Sequence, residues 1–268
     1  MAATPQNPPP EGRNLKLVIA YDGTAYHGWQ RQASGIDTVQ QRIEQTATAV
    51  VRHPVTVHGA GRTDAGVHAE GQVANFYTTR DNIPLPGLRR AINSRLPDDI
   101  GIRSINEVPP GFHASRSAVG KTYRYRIYVA PTPPTDVGRF VYHYWKPLDV
   151  AAMRAGARWL LGRHDFASFA SAGDERDNTV RTVFRCDVTE ADREVRVFVQ
   201  GDGFLYKMVR NIVGTLVEVG RGHWPPDQVG QILAAADRQA AGPAAVAEGL
   251  AMLCVHYRRE DLDGGKAK

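Results

Sequence analysis

Two strand-like segments separated by a short turn limit the fold of this chain more than any other feature. Residues 179–190 and 194–200 are rich in residues that favour strands, and Ala191 and Asp192 lie near the turn between them. Strands joined by a short turn run antiparallel, because parallel neighbours need a crossover of a dozen or more residues. The hairpin therefore argues against a purely parallel sheet.

Strand-like and helix-like segments alternate along the rest of the 268 residues. Hydrophobic periodicity predicts further strands over residues 15–21, 55–58, 72–78, 101–108, 121–129 and 251–257. It predicts helices over residues 38–50, 86–96, 149–161, 204–219 and 226–236. Together with the hairpin, this order predicts an α+β fold, with a largely antiparallel sheet and helices packed on one face. A doubly wound parallel fold is the second possibility, since strands and helices also alternate in that class.

The helix ends and stripes carry additional signals. Asp37 is predicted to cap the helix over residues 38–50, and Asp149 the helix over residues 149–161. The clearest amphipathic pattern belongs to residues 204–219, whose apolar stripe consists of Leu205, Val209, Ile212, Leu216 and Val219.

The turn-forming triplet Pro109-Pro110-Gly111 predicts a division of the chain into two parts. We expect an N-terminal α+β half over residues 14–110 and a C-terminal α+β half over residues 111–260, of similar rhythm, flanking a basic cleft. Residues 1–13 are polar and proline-rich, which predicts a disordered tail without the apolar core of a signal peptide. Residues 261–268 are predicted to form a polar tail.

Composition excludes several classes of protein. Hydrophobic residues make up 42% of the chain, enough for a sizeable core, and no apolar segment is long enough to span a bilayer. The cysteines, Cys186 and Cys254, offer neither a disulfide framework nor a zinc site, and they fit a reducing cytoplasm.

Charge and aromatic residues suggest a polyanionic partner. The net charge is +5, a mild excess that is compatible with nucleic acid. Basic side chains interleaved with aromatic ones suit RNA phosphates and splayed bases. Such a cluster contains Arg103, Arg116, Lys121, Tyr123, Arg124, Tyr125, Arg126 and Tyr128. The same alternation also fits a strand with a solvated arginine face and a buried tyrosine face.

The glycine-rich run GAGRTDAGVHA over residues 59–69 contains the best candidate for chemistry. Glycines permit left-handed backbone and the close approach of a ligand. Asp64 lies two residues after Arg62, and a nearby cation favours an ionised carboxylate. An ordinary turn residue is the alternative assignment for Asp64.

Three other catalytic or binding motifs are incomplete in this chain. A phosphate-binding loop needs a glycine at position 115 to accompany Gly120-Lys121-Thr122, but that residue is Ser115. His68-Ala69-Glu70 lacks the Pro-Cys-x-x-Cys partner of a zinc deaminase. An aspartic protease needs a second copy of Asp64-Ala65-Gly66, and the sequence contains none.

Further motifs, taken with the glycine-rich run, resemble those of the tRNA pseudouridine synthase A family. They are AYDGTAYHGWQRQ at 20–32, INSRLP at 92–97, FHASR at 112–116, KTYRY at 121–125, HDFASF at 164–169, GFLYKMVRNIVG at 203–214 and EGL at 248–250. They follow the family's order along most of the chain. Each motif is weak alone, but together they are specific.

The resemblance implies that the chain isomerises uridine to pseudouridine in the anticodon stem–loop of tRNA. It also implies a cytoplasmic homodimer that needs no cofactor and no metal. Asp64 would be the catalytic carboxylate, acting on a nucleoside flipped out of the RNA. Attack on the base, attack on the ribose and removal of a ribose proton are three open mechanisms for it.

The resemblance also implies substrate-binding roles for four more residues. Arg62 would enter the space left by the flipped base or hold a phosphate, and Tyr123 would stack on the uracil. Arg210 would pair with Asp64, and Leu205 would line the apolar wall of the pocket. Two other functions fit the same cleft: non-catalytic RNA binding, and hydrolysis that uses Asp64 as a general base and releases uracil.

Overall fold

The computed structural model describes residues 11–33, 35–171 and 178–262. The disordered tail predicted for residues 1–13 and the polar tail predicted for residues 261–268 lie largely outside the described residues. No helix within the described ranges has the length and apolar character needed to cross a membrane.

The described elements form one sheet with helices. The strands are β1 (Arg13–Tyr21), β2 (His58–Gly59), β3 (His68–Thr78), β4 (Ile100–Val108), β5 (Gly120–Val129), β6 (Tyr142–Tyr144), β7 (Gly162–Asp165), β8 (Val180–Ala191), β9 (Glu194–Gly201) and β10 (Leu250–His256). The helices are α1 (Val39–Val51), α2 (Leu85–Asn93), α3 (Val150–Ala157), α4 (Met208–Gly220) and α5 (Gln228–Ala235).

The sheet confirms the α+β prediction. Its strand order is β4-β1-β3-β10-β5-β9-β8-β7, with β2 added to β3 and β6 added to β5. Among the described strands, the pairs β10–β3 and β5–β6 are parallel and the other pairs are antiparallel. The last strand, β10, lies between β3 and β5 and so connects the early part of the sheet to the later part.

The helices and the sheet share one core. Alternate residues of β1 and β5 point into it, as the two-residue period of a strand requires. Its fully buried members include Leu15, Leu17 and Ile19 of β1, Ile43 of α1, Tyr125 and Ile127 of β5, and Ile212 and Leu216 of α4. Each such side chain contributes about 1.5–3 kcal/mol by its burial.

Helix α4 is almost completely buried. Every residue of α4 other than Arg210 is buried. Gly214 permits this close packing, because a Cβ atom there would lie 1.7 Å from the carbonyl oxygen of Pro243. A larger residue would push the helix away from the chain that precedes β10.

Three sequence predictions about element ends are wrong. Thr38 caps α1 by accepting a hydrogen bond from Gln41 N, whereas Asp37 forms an ion pair with Arg42. The strand predicted over residues 55–58 is limited to His58–Gly59, which pairs with β3. Helix α4 begins at Met208 rather than at residue 204.

The late start of α4 has a local cause. Lys207 adopts a left-handed conformation with φ 57°, which interrupts the helical backbone before Met208. Leu205 therefore precedes the helix instead of lying on its stripe, although it is still buried. A hydrophobic period alone does not reveal such a reversal, because Leu205 satisfies the pattern in either conformation.

Candidate active site

The predicted catalytic residue lies in a cleft of about 520 Å³. One wall is the glycine-rich loop over residues 59–64, and the other is the segment over residues 203–210. Lys121 and Tyr123 of β5 lie in the lining with them. Among the described residues of the lining, four are cations (Arg62, Lys121, Lys207 and Arg210) and one is a carboxylate, Asp64, so this part of the cleft is basic.

Hydrogen bonds involving the side chain and the backbone of Thr63 fix the loop that carries Asp64. The Thr63 hydroxyl lies 2.8 Å from the Tyr21 hydroxyl, and Trp29 N donates to the Thr63 carbonyl at 3.0 Å. Gly28 has φ 90°, and a Cβ atom there would lie 2.6 Å from the same carbonyl oxygen. Because Gly28 has no side chain, the segment around it can approach the Thr63 carbonyl closely. This close approach holds the loop that carries Asp64 in place.

Asp64 forms an ion pair with Arg210. Arg210 Nη1 lies 3.1 Å from Asp64 Oδ2, and the two side chains are only 15% and 22% exposed. A second anchor orients the guanidinium, because Arg210 Nε donates to the Ala245 carbonyl at 2.7 Å. Asp64 Oδ1 accepts no hydrogen bond from any residue in the described ranges, so one carboxylate oxygen is available to a substrate in the cleft.

Tyr123 lies beside this carboxylate. It is 7% exposed, and its ring meets the edge of Phe204 with centroids 5.1 Å apart and planes at 82°. Burial, followed by the nearby Tyr21 and Asp64, raises the pKa of Tyr123 far above its ordinary value. The phenol is therefore neutral at physiological pH and presents an uncharged ring and hydroxyl to the cleft.

The structure places the remaining predicted site residues in the same cleft. Leu205 is 3% exposed in the wall opposite the loop. Arg62 is exposed, and its side chain makes no hydrogen bond or ion pair with another described residue. An unpaired guanidinium at the edge of a cleft is free to bind a phosphate or a base.

Sequence reasoning assigned no role to Trp29, Phe204, Tyr206 and Lys207, which also line the cleft. All four lie in the motifs over residues 20–32 and 203–214, so the motifs indicated the segments to which they belong but not their roles. The direction of each side chain depends on local turns that the motifs do not reveal, above all the left-handed Lys207.

Comparison with known proteins assigns this chain to a family. The model described as tRNA pseudouridine synthase matches residues 17–115 and 157–258. The tRNA pseudouridine synthase A of Syntrophotalea carbinolica is 47% identical over 251 residues, which covers 94% of this chain and 99% of that protein. The enzyme of the same name from Acetivibrio thermocellus is 46% identical and is covered completely, with 91% of this chain aligned. The tRNA pseudouridine synthase A 2 of Clostridium perfringens is 42% identical, with 91% and 100% covered. The chain therefore belongs to the tRNA pseudouridine synthase family.

Proposed function

We propose that this protein isomerises uridine to pseudouridine in tRNA and that Asp64 is its catalytic carboxylate. The observation that carries the proposal is the carboxylate itself: a half-buried aspartate in a basic cleft, paired through one oxygen and open through the other. Family membership supplies the reaction. The cations around Asp64 fit a substrate of linked phosphates.

The reaction needs no net exchange of atoms other than protons. The bond from ribose C1′ to uracil N1 breaks, a bond from C1′ to uracil C5 forms, N1 gains a proton and C5 loses one. Asp64 Oδ1 is available to attack the base, to attack the ribose or to remove a ribose proton. In each case the uridine must first leave the stacked RNA, and the detached uracil must be held while it turns.

Arg62, Tyr123, Arg210 and Leu205 have distinct roles in this proposal. Arg210 pairs with Asp64 and orients its carboxylate, and Arg62 stabilises the RNA from which the nucleotide has been flipped. Tyr123 stacks on the uracil while it is detached, and Leu205 keeps water from that side of the base.

The proposal extends to the substrate region and the assembly. We propose the anticodon stem–loop as the substrate, a homodimer as the active unit and the cytoplasm as its location. Pairing two chains doubles the net charge of +5 available to a large polyanion. The described thiols, Cys186 and Cys254, are both free, which fits a reducing compartment.

Tritium release tests the reaction. Unmodified tRNA labelled with tritium at uridine C5 is expected to lose its label to water without releasing free base. Free uracil would instead indicate a hydrolase, and tight binding without either product would indicate a non-catalytic RNA-binding protein. Sedimentation of the active complex tests the dimer: a monomer with undiminished tRNA binding and turnover would contradict it.

A further inference from the structure

One aromatic residue of the cleft lining is exposed. Tyr206 is 38% exposed, whereas Leu205 before it and Met208 after it are 3% and 0% exposed. Tyr206 nevertheless belongs to the lining of the cleft that holds Asp64. An aromatic ring that is partly accessible from this cleft can offer a face on which a base stacks.

The backbone of this segment is held in place by hydrogen bonds. Ser171 N donates to the Tyr206 carbonyl at 3.0 Å, and Met208 N donates to the Leu205 carbonyl at 3.1 Å. The left-handed Lys207 costs energy for a residue with a side chain, and such conformations concentrate at functional sites. The reversal at Lys207 separates the exposed ring from the helix that begins with Met208.

A cation accompanies the ring. Lys207 Nζ lies 5.0 Å from the centroid of the Tyr206 ring, and it forms no ion pair with a carboxylate of the described residues. A flat aromatic face next to an ammonium group matches one nucleotide, whose base stacks and whose phosphate carries the negative charge.

We propose that Tyr206 and Lys207 bind the nucleotide adjacent to the isomerised uridine, with its base stacked on Tyr206 and its phosphate on Lys207. This inference rests on the proposed function. When the uridine flips out, its neighbour loses a stacking partner, and that loss is part of the cost of flipping. Tyr206 replaces the lost partner, so its contribution is specific to the flipped complex.

RNA hairpins with one base removed test the stacking. Each hairpin carries tritiated uridine at the reacting position and, in two versions, an abasic residue on its 5′ or its 3′ side. We expect Tyr206→Leu to lower kcat/KM on the intact hairpin about tenfold, while Tyr206→Phe stays near the unaltered protein. One of the two abasic hairpins should show a similar loss with the unaltered protein and no further loss with Tyr206→Leu.

A matched control and a binding measurement complete the test. Phe184→Leu removes a 40% exposed ring outside the cleft lining and should not change kcat/KM. Equal kcat/KM values for Tyr206→Leu and Phe184→Leu would overturn the proposal. It would also be overturned if Tyr206→Leu lowered kcat/KM on both abasic hairpins by the same factor as on the intact hairpin, because the two changes would then act independently. Kd values for the same hairpins, measured with proteins that also carry Asp64→Asn, report the contribution of stacking to binding, because these proteins do not convert the substrate. Absence of tritium release by the unaltered protein thus contradicts the proposed function, whereas an unmoved Kd contradicts this site.

The phosphate contact of Lys207 is tested by substitutions that change its charge and preserve its backbone conformation. Lys207→Asn removes the ammonium while tolerating the left-handed conformation, and Lys207→Arg keeps a cation. We expect Lys207→Asn to lower the slope of log Kd against log salt by about 1, with Lys207→Arg unchanged. An unchanged slope in Lys207→Asn would contradict the phosphate contact.

Discussion

Two carboxylate–arginine pairs in this protein differ in what they leave open. Glu194 on β9 is saturated: Arg126 binds both of its oxygens, and Arg196 Nε donates to Oε2 at 2.9 Å. Among the residues that the structure describes, Arg210 alone binds the Asp64 carboxylate, through Oδ2. A saturated carboxylate stabilises the sheet, whereas a half-bound one is held in place and can still react.

The surroundings of the two pairs explain the difference. Arg126 and Arg196 lie directly opposite each other on β5 and β9, where two like charges would repel. Glu194 accepts hydrogen bonds from both arginines and so offsets that repulsion, and the bonds donated by Arg126 in particular lower the pKa of Glu194 below its ordinary value. Asp64 instead faces a cleft, and its partner Arg210 is the one residue of α4 that is not buried.

The largest expected effect is that of Asp64→Asn. Asn keeps the shape of the side chain but cannot act as a nucleophile or base, so tritium release should fall by about 10²–10⁴-fold or more. The free energy of unfolding should change by about 1 kcal/mol, because the amide oxygen of the new side chain can still accept the hydrogen bond from Arg210. Single-turnover assays and denaturant titration measure both quantities. Turnover near the original rate would make Asp64 an ordinary turn residue like any other.

Arg62→Ala should produce the next largest loss of activity. Several cations share the phosphate contacts, so Kd for tRNA should change little. A residue that acts mainly on the flipped complex lowers kcat, and a charged hydrogen bond of about 1.5–3 kcal/mol corresponds to about 10- to 100-fold. Arg90→Ala, at an exposed arginine of α2 outside the cleft lining, is the matched control. Weaker binding with a normal single-turnover rate at saturation would contradict the role of Arg62.

Tyr123→Phe and Tyr123→Ala distinguish the ring from the hydroxyl beside Asp64. Stacking of a base on an aromatic ring is worth about 1–3 kcal/mol, so Tyr123→Ala should lose about tenfold or more in kcat/KM. Tyr123→Phe keeps the ring and should retain most of the activity. Equal losses in the two variants would assign the essential contribution to the hydroxyl.

The sequence predicted which residues line the cleft better than it predicted how they are arranged. Asp64 and Arg210 are 146 positions apart, and only the family motifs indicated that they meet. The α+β sheet followed from periodicity and from the hairpin at Ala191 and Asp192, because those signals are local. The position of β10 between β3 and β5 could not be predicted in this way, because the residues of a strand do not specify which strands pair with it.

The errors also have a common physical origin. Thr38 and Asp37 are both good capping residues, and the competing ion pair of Asp37 with Arg42 decided between them. The left-handed Lys207 contradicts the local preference of a lysine, so a rule based on preference places the start of α4 too early. Such departures from local preference concentrate where function requires them.

Glu194→Gln should have the smallest effect and complete the contrast with Asp64. Removing the charge leaves Arg126 and Arg196 facing each other, so the free energy of unfolding should fall by about 1 kcal/mol while tritium release is unchanged. The folded pKa of Glu194 lies below its ordinary value of 4.5, so the unfolded state binds a proton first as the pH falls. The contribution of Glu194 is therefore complete above about pH 4.5 and is lost as the pH falls further, through the folded pKa. Denaturant titrations from pH 7 downward should show the difference between the two proteins shrinking over that range. A difference that stays constant with pH would mean that Glu194 acts through packing and not through its charge, and a loss of activity at pH 7 would mean that the two pairs are not independent.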